Sequence, residues 1–272
     1  MKELRDKNGL TEKEFLKAYK PGDYERPSVT TDIMVLGTNE DITCLKILLI
    51  KRGGHPFIGH WALPGGFINK DETSYSAAAR ELCEETGLKD IYLDQVYTFT
   101  KPGRDPRTWI MSIAYMALVS ELERVEGLDD ADDANWFDLM IDDDTLSISN
   151  KDIGVDIRYR LEKKTFRNGK ISYENYVAEP MSSDKLAFDH VEIIIESILK
   201  LKSNFEHSDL AFNLIGDKFT LPDLQRLYEL VLGKKLYKTN FRALVASKVR
   251  PTGQKRKSLS SRKMSLEYIY EG

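Results

Sequence analysis

The stretch that decides the fold is Gly65–Leu88, with the sequence GGFINKDETSYSAAARELCEETGL. Three of its acidic residues, Glu81, Glu84 and Glu85, are spaced i, i+3 and i+4. In an α-helix this spacing brings the three carboxylates onto one face, where they repel one another. A divalent cation prefers oxygen ligands of this kind, and its charge offsets the repulsion. The stretch therefore predicts a helix that ends at Gly87 and offers a metal site.

A solvated acidic helix face is the alternative, and it is the usual interpretation of a charge run. The spacing of the whole stretch argues against it. Gly66 is followed after five residues by Glu72, and after seven more by the run RELCEETGL at 80–88. This order resembles the Nudix box, G-x5-E-x7-R-E-U-x-E-E-x-G-U with U a bulky aliphatic residue, at every defined position.

The resemblance to the Nudix family implies an α/β/α sandwich around a mixed sheet over about residues 28–139. The ligands implied for Mg²⁺ or Mn²⁺ are three carboxylates and one backbone carbonyl: Glu81, Glu84, Glu85 and either Gly65 or Gly66. The same two glycines are expected to contact the substrate, and an ion pair between Glu72 and Arg80 would brace the loop against the helix. A bound cation neutralises phosphate charge and acidifies a bound water, so hydrolysis of a diphosphate is the expected reaction.

Phosphate recognition is predicted for the segment 102–119, PGRDPRTWIMSIAYMALV. Arg104 and Arg107 flank a proline turn, and guanidinium groups near a metal site suit bidentate binding of phosphate. The alternative for one of the two arginines is an ion pair with Asp105.

Three segments together resemble the ADP-ribose pyrophosphatase branch of the family: RDPR at 104–107, LPGGF at 63–67 and DDADDANWFDL at 129–139. The resemblance implies cleavage of ADP-ribose to AMP and ribose 5-phosphate. The general base stays open, because family members take it from different places. The candidates are Asp129, Asp130, Asp132, Asp133 and Glu81.

Two aromatic residues near these segments have two interpretations each. Trp61 either stacks on a base or packs in the core, and we favour the core. His190, in FDHVEII at 188–194, is either catalytic or forms local helix-capping bonds with Asp189, and we favour the capping role.

The composition of the 272-residue chain is that of a soluble globular protein, with 41% hydrophobic and 31% charged residues. No apolar run reaches the roughly 18 residues of a membrane span. The start, MKELRDKNGL, has no apolar signal core, so neither a membrane partner nor export is expected. Cys44 and Cys83 belong to no metal-binding cluster, so we expect no zinc and a cytoplasmic location.

Charge divides the chain into two parts. Residues 205–272 contain 13 basic and 7 acidic residues, a net charge of +6, whereas the rest contains 27 basic and 37 acidic residues, a net charge of −10. This asymmetry predicts two modules with different partners. We expect the boundary near Leu201–Asp209, which gives a first domain of residues 1–204 and a second of 205–272.

The basic part predicts a winged helix-turn-helix domain. Its segment 216–242, GDKFTLPDLQRLYELVLGKKLYKTNFR, is similar to the C-terminal winged helix of the Nudix-related transcriptional regulators of NAD metabolism. FDHVEII also resembles the connecting helix of that family. By this resemblance the helix 240–249 enters the major groove of double-stranded DNA, and TGQKRKSLSSRK at 252–263 is the wing. The residues expected to bind DNA are Asn240, Arg242, Lys248, Arg250, Lys255 and Arg256.

The chain departs from that family in two ways. Many of its regulators carry a broken Nudix box, whereas this box is intact. The wing ends in SSRKMSLEY at 260–268 instead of the usual Gly-Arg-Pro. A basic solvated face without DNA binding is the alternative for the tail.

We therefore predict an α+β protein in which a metal-dependent Nudix hydrolase, acting on ADP-ribose or another nucleoside diphosphate, precedes a winged helix. The alternative function is an ADP-ribose-sensing, DNA-binding repressor of NAD metabolism, with or without residual hydrolysis. The intact carboxylates favour catalysis, and the basic tail favours DNA binding. The resemblance also implies a homodimer.

Overall fold

A computed structural model describes residues 3–120, 122, 134–142 and 144–272 of the chain. Its helices are α1 (Glu12–Ala18), α2 (Ser74–Thr86), α3 (His190–Phe205), α4 (Leu221–Leu232) and α5 (Lys238–Val245), with short 3-10 helices at Pro21–Asp23 and Leu210–Asn213. Its strands are β1 (Ser28–Thr38), β2 (Leu45–Lys51), β3 (Trp61–Ala62), β4 (Gly65–Phe67), β5 (Tyr92–Phe99), β6 (Ile110–Leu118), β7 (Ala134–Ile141), β8 (Thr145–Asn150), β9 (Val155–Asn168), β10 (Ile171–Pro180), β11 (Lys218–Thr220), β12 (Val249–Lys257) and β13 (Met264–Tyr270). None of the helices described is long and apolar enough to cross a membrane.

Ten of the described strands form one mixed sheet. Its order is β10-β9-β8-β7-β2-β1-β6-β5, with β3 paired to β2 and β4 paired to β1. β1 is parallel to β6 and antiparallel to β2 and β4. A strand in the middle of a sheet that is covered on both faces must be apolar on both, which explains the continuous run IMVL at 33–36.

Helices cover the two faces of this sheet. Successive side chains of a strand point to opposite faces. Ile33 and Val35 accordingly lie in one buried cluster with Leu82 of α2. Met34 lies in another cluster, together with Ile194 of α3. The predicted α/β/α sandwich is therefore confirmed, with α2 and α3 on opposite faces.

α2, which contains the acidic residues, has well-defined ends. The Oγ1 atom of Thr73 accepts a hydrogen bond from the N–H of Ser76 (3.1 Å), as an N-cap does. Gly87 has a φ of +75° and donates its N–H to the carbonyl of Cys83, so the helix stops there. The helix packs on the sheet through its buried residues Ala78 and Leu82.

α3 connects the sheet to the C-terminal module and packs against both. At its far end Phe205 is fully buried, and its ring centroid is 4.9 Å from that of Tyr228 in α4. One apolar cluster therefore runs from the sheet through α3 into the C-terminal module. The predicted boundary between residues 1–204 and 205–272 falls at the end of α3 and stays a prediction.

The C-terminal module is a winged helix-turn-helix domain, as predicted. Two helices, α4 and α5, precede the β12–β13 hairpin, and β11 completes a sheet of order β11-β13-β12. The predicted helix 240–249 is wrong at both ends, because α5 covers Lys238–Val245. The N–H of Lys248 bonds to the carbonyl of Val245, which closes the turn, and Val249 already pairs with Tyr270 in the hairpin.

Candidate functional site

The glycines of the LPGG segment bring its backbone close to β1 and α2. Gly65 has a φ of +151°, and a Cβ added to it would lie 2.0 Å from the carbonyl oxygen of Thr31. A Cβ on Gly66 would lie 2.3 Å from Oε1 of Glu81. Glycine is the residue that permits this backbone and these approaches. The segment is thereby held directly against the acidic helix.

We predict that Gly65→Ala lowers the free energy of unfolding by about 2 kcal/mol, because the methyl group meets backbone and the φ angle is strained for any other residue. Urea unfolding of the metal-free protein measures this change. Gly54→Ala is the matched control, since a Cβ there meets nothing within 4 Å. Equal stability of the two variants would contradict the described loop geometry.

Arg80 lies at the centre of the predicted acidic cluster. Its Nε and Nη2 atoms donate to Glu72 (3.1 and 2.7 Å), and its Nη1 atom donates to Glu81 (2.8 Å) and Glu84 (2.9 Å). The Arg80 hydrogen bond lowers the pKa of Glu72 to about 2, so this carboxylate stays ionised. Three of the carboxylates thus surround a guanidinium. Nowhere among the described residues do three potential ligands converge on a point that a metal ion would occupy.

Glu85 lies on the other side of this cluster, against the glycine segment. One carboxylate oxygen accepts the N–H of Gly65 (2.7 Å). Burial raises the pKa of Glu85 to about 7; the Gly65 hydrogen bond opposes the shift, and the charges of Glu81 and Asp32 add to it. A buried carboxylate beside other acids suits a hard cation, and so does the donor set of carboxylates and carbonyls. The residues present, three carboxylates beside a glycine carbonyl, therefore fit a divalent metal ion.

The raised pKa makes a prediction about stability. An acid whose pKa is higher in the fold than in the unfolded chain opposes folding when it is ionised. This penalty is fully present above about pH 7 and disappears below the ordinary value of 4.5. Glu85→Gln should therefore raise the Tm of the metal-free protein by roughly 2–4 °C at pH 8 and leave it unchanged at pH 4.5. Thermal unfolding in a chelator measures the difference.

Glu84→Gln is the control for this stability experiment, because Glu84 is 58% exposed and pairs with Arg80. It should give no increase in Tm at pH 8. A Tm for Glu85→Gln that is equal to or below that of the wild type at pH 8 would show that Glu85 is not strained in the metal-free protein.

A buried charge cluster lies behind the glycine segment. Arg104, whose side chain is 4% exposed, donates from Nε and Nη2 to both carboxylate oxygens of Asp189 (2.9 and 2.6 Å) and from Nη2 to Asp32 (3.3 Å). Burial raises the pKa of Asp32, but interactions with His190, Ser112 and Arg104 outweigh it and lower the pKa below its ordinary value. Direct contact between Arg104 and a substrate, as predicted from the sequence, would require these ion pairs to break.

His190 belongs to the same cluster, and the local capping interpretation is wrong. Its Nδ1 atom accepts the N–H of Leu63 (2.8 Å), and its Nε2 atom is 3.5 Å from Asp32. Asp189 makes no side-chain cap to the helix, because Arg104 binds both of its oxygens. The pair therefore makes contacts across the fold instead of within the first turn of its helix.

Arg107 makes the ion pair with Asp105 that the sequence left open for one arginine (2.7 Å). Its guanidinium also lies 5.4 Å from the ring centroid of Phe67 and 5.7 Å from that of Phe188. Arg52 lies over the same Phe188 ring at 4.8 Å. Burial lowers the pKa of Arg52, and the nearby charge of Arg107 lowers it further. Two guanidinium groups held on one ring attract an anion.

Arg52 and Phe188 were missed in the sequence. Within the described ranges no carboxylate lies at ion-pair distance from Arg52, which donates from Nε to the carbonyl of Pro56 (2.8 Å). The signal available was the pair KR at 51–52 before two glycines, which is too short to indicate a site.

The four aspartates proposed as general base, 129, 130, 132 and 133, lie outside the described residues. Trp61 packs in the core against Phe137, with ring centroids 4.8 Å apart, as favoured.

The predicted DNA-binding residues divide into two groups. Asn240, Arg242, Arg250 and Lys255 are exposed. Arg250 nevertheless pairs with Glu271 (3.2 Å), and the other two residues also contact the protein itself. Lys248 pairs with Asp209 (2.8 Å), and Arg256 donates to the carbonyl of Lys218. The tip of the wing is also fixed, because Ser258 and Ser260 both donate to Asp223 in α4 (2.8 Å each). The exposed members of the predicted set therefore lie on α5 and on β12 of the hairpin.

The fold and the site together define a class of protein, a Nudix domain joined to a winged-helix domain. The model of the NUDIX domain family matches residues 27–143, and that of the NrtR DNA-binding winged helix domain matches residues 211–266. The chain belongs to the Nudix family. An ADP-ribose pyrophosphatase of Methanocaldococcus jannaschii is 40% identical over 130 residues, which are 48% of this chain and 72% of that protein.

Two further relatives match both modules. The ADPR responsive transcriptional repressor NtrR of Acinetobacter baylyi is 28% identical over 237 residues, which are 86% of this chain and 78% of that protein. The crystal structure of Shewanella oneidensis NrtR complexed with a 27mer DNA is 26% identical, covers 89% of this chain and 93% of that chain, and has a TM-score of 0.64. The predicted combination of a Nudix domain and a regulator-type winged helix is confirmed.

Proposed function

We propose that this protein is a DNA-binding transcriptional regulator whose Nudix domain binds ADP-ribose or a closely related nucleoside diphosphate. The observation that carries the proposal is the similarity to an ADPR responsive repressor, which extends over 86% of the chain and includes both modules. A hydrolase without a regulatory role would have no need of the exposed basic side chains on α5. A regulator works beside the chromosome, so we assign it to the cytoplasm, with no membrane partner.

The ligand's diphosphate is assigned to the region between the glycine segment and the Phe188 ring. Arg52 supplies a guanidinium there that forms no ion pair within the described residues, and the Phe188 ring supplies an apolar surface. Arg107 supplies a second guanidinium, which is also paired with Asp105. Gly65 and Gly66 border this region, and their lack of side chains lets the backbone lie directly against β1 and α2. Arg104 acts from behind, by fixing Asp189 and Asp32, and is a positioning residue in this proposal.

Arg52→Gln should raise the Kd for ADP-ribose about tenfold, because a charge-assisted hydrogen bond to phosphate contributes roughly 1.5 kcal/mol. Isothermal titration calorimetry measures this change. Arg167→Gln is the control, because Arg167 is exposed and lies beside the turn of the β9–β10 hairpin. This variant should bind ADP-ribose like the wild type. Unchanged affinity in Arg52→Gln would remove Arg52 from the ligand site.

Hydrolysis of the bound diphosphate is the second candidate function, and the complete Nudix box favours it. Mg²⁺ or Mn²⁺, held by Glu81, Glu84, Glu85 and the carbonyl of Gly65 or Gly66, would neutralise phosphate charge and acidify a bound water. Arg80 and Glu72 brace the helix against the glycine segment by their ion pair. With ADP-ribose as the substrate, the products would be AMP and ribose 5-phosphate.

The DNA contact is assigned to α5 and the β12–β13 hairpin. Asn240 and Arg242 lie on the exposed side of α5, opposite the buried Phe241, and suit contacts with base edges. Arg250 and Lys255 lie on the hairpin and suit phosphates. Arg250, Lys248 and Arg256 would have to exchange their present partners for DNA.

We also propose a homodimer, because helix-turn-helix proteins commonly read two half-sites related by two-fold symmetry. A candidate contact is α1, which has no buried residue and exposes Phe15 and Leu16, with the exposed Tyr19 directly after it. Sedimentation of the wild type beside Leu16→Glu tests it, and a monomeric wild type would contradict the homodimer.

The test of the proposed function begins with ligand binding. Calorimetry with ADP-ribose in a chelator should give a saturable isotherm, with AMP plus ribose 5-phosphate added separately as the control for the intact diphosphate. Binding of ADP-ribose but not of the fragments supports the proposal. Absence of binding, in protein shown to be folded, would redirect the search to other nucleoside diphosphates and would contradict ADP-ribose as the ligand.

A further inference from the structure

The glycine segment is held from two sides by different helices. Glu85 of α2 accepts the N–H of Gly65 (2.7 Å), and Nδ1 of His190 accepts the N–H of Leu63 (2.8 Å). A nitrogen that accepts a hydrogen bond carries no proton, so the proton of the neutral ring lies on Nε2, which faces Asp32 at 3.5 Å. The first residue of α3 therefore contacts the backbone two residues before the glycine at the proposed metal site.

A second contact fixes the same end of α3 to the site. Asp189, immediately before the helix, receives two hydrogen bonds from Arg104, and Arg104 also bonds to Asp32. Asp32 lies directly opposite Gly65 in the pairing of β1 with β4. Leaving one member of such a buried cluster unpaired is strongly unfavourable. These groups are therefore expected to shift together when the backbone at Gly65 shifts.

Phe188, which precedes Asp189 and His190 in the chain, links the buried charge cluster to the proposed diphosphate site. Phe188 has a φ of +50°, a backbone conformation that is unfavourable for a residue with a side chain. The guanidinium groups of Arg52 and Arg107 lie 4.8 Å and 5.7 Å from the centroid of the Phe188 ring. An anion that draws these two guanidinium groups together would act on Phe188, and through it on the start of α3.

The other end of α3 is built into the DNA-binding module. Leu201 and Phe205 are fully buried in the cluster that contains Leu224 and Tyr228 of α4. Glu206, just after the helix, pairs with Lys234 after α4 (3.0 Å). A helix of 16 residues is about 24 Å long, and it transmits a displacement of one end to the other because its backbone is hydrogen-bonded throughout.

We propose that α3 couples the Nudix site to the DNA-binding module, with His190 as the positioning residue that links the helix to the glycine segment. The proposal rests on the proposed function, since it requires both ligands. Occupation of the site shifts the LPGG backbone, the Leu63–His190 hydrogen bond moves the start of α3, and α4 follows with α5. The coupling is reciprocal, so DNA changes the affinity for ADP-ribose by the same factor.

The test compares His190→Leu with His190→Asn. Leucine removes the acceptor for Leu63, whereas the Oδ1 atom of asparagine can take the position of Nδ1. For each protein the Kd for a DNA duplex, selected from a random 30-base-pair library, is measured with and without ADP-ribose in a chelator. The ratio of the two values is the coupling factor. A general loss of affinity does not change this ratio.

We expect the coupling factor of His190→Leu to fall at least fivefold towards 1, and that of His190→Asn to stay near the wild-type value. Glu192→Gln is the control on the same helix turn; its carboxylate forms an exposed pair with Lys101 (2.9 Å), and it should couple like the wild type. Equal coupling in the wild type and His190→Leu would overturn the proposal and leave the proposed function intact. A wild type that binds ADP-ribose or DNA but not both would instead overturn the proposed function, and the coupling with it.

A measurement on the wild type alone covers the case in which His190→Leu fails to fold. Hydrogen exchange is followed with and without ADP-ribose. The proposal expects altered exchange in the first turns of α3 and in α4. Ligand-dependent changes confined to α2 and the glycine segment would overturn it.

Discussion

Glu85→Gln is expected to reduce the metal-dependent hydrolysis of ADP-ribose on the order of 10³-fold, while the protein stays folded. The carboxylate accepts the N–H of Gly65 and, of the three proposed carboxylate ligands, is the one that Arg80 does not bind. Loss of a negatively charged ligand weakens binding of the metal ion. Stabilisation of a phosphoryl transition state by a metal ion contributes several kcal/mol. Chromatography of AMP formed with Mg²⁺ measures the change.

Two variants make this experiment specific. Glu84→Gln should also lose activity by orders of magnitude if Glu84 leaves Arg80 to bind the metal. Asp71→Asn, an exposed residue of the neighbouring loop, should remain fully active. Wild-type activity in both glutamine variants would remove the metal-site assignment. Absence of AMP with the wild type, with ADP-ribose still bound, would leave a regulator that senses its ligand without cleaving it.

Arg242→Ala is expected to weaken binding to a selected DNA duplex roughly 10- to 100-fold, because a bidentate contact between arginine and a base contributes about 1–3 kcal/mol. The side chain lies on the exposed face of α5, while Phe241 and Val245 hold the helix in place from the buried face. Fluorescence anisotropy of the labelled duplex measures the affinity.

Salt dependence separates a base contact from a phosphate contact in this experiment. Lys255→Ala should weaken binding to all duplexes similarly. It should also reduce the slope of the logarithm of the binding constant against the logarithm of the salt concentration by about one. Lys17→Ala on α1 is the control for loss of a positive charge elsewhere. If Arg242→Ala binds like the wild type, α5 does not read bases. If the wild type shows no salt-sensitive retention of any duplex, the tail is a solvated basic face.

The local parts of this account could be predicted from the sequence because their causes are local. The spacing predicts α2 and its end at Gly87, and the resemblance to the Nudix box implies the pair between Glu72 and Arg80. The bonds of Arg80 to Glu81 and Glu84 are not among these predictions. The winged-helix order follows from two amphipathic helices and a basic hairpin. The predicted C-terminal end of α5 at residue 249 is wrong, because Val249 pairs with Tyr270, 21 positions later in the chain.

The remaining parts depend on residues far apart in the chain. Arg104 reads as a free phosphate-binding arginine until Asp189, 85 positions later, is folded against it. His190 likewise reads as a helix cap, because nothing near it indicates the N–H of Leu63, 127 positions earlier. Arg52 belongs to no sequence motif. Its proposed role in ligand binding follows from its position on the Phe188 ring beside Arg107. Buried charge clusters of this kind require the tertiary fold.

The measurement that tests the central claim most directly is the Kd of the wild type for a selected duplex at fixed salt, with and without saturating ADP-ribose. A regulator that responds to this ligand should change its DNA affinity at least fivefold, the lower end of ordinary allosteric coupling. An identical Kd in both conditions, with ADP-ribose binding shown separately, would contradict a ligand-responsive regulator and leave a Nudix protein with an independent DNA-binding domain.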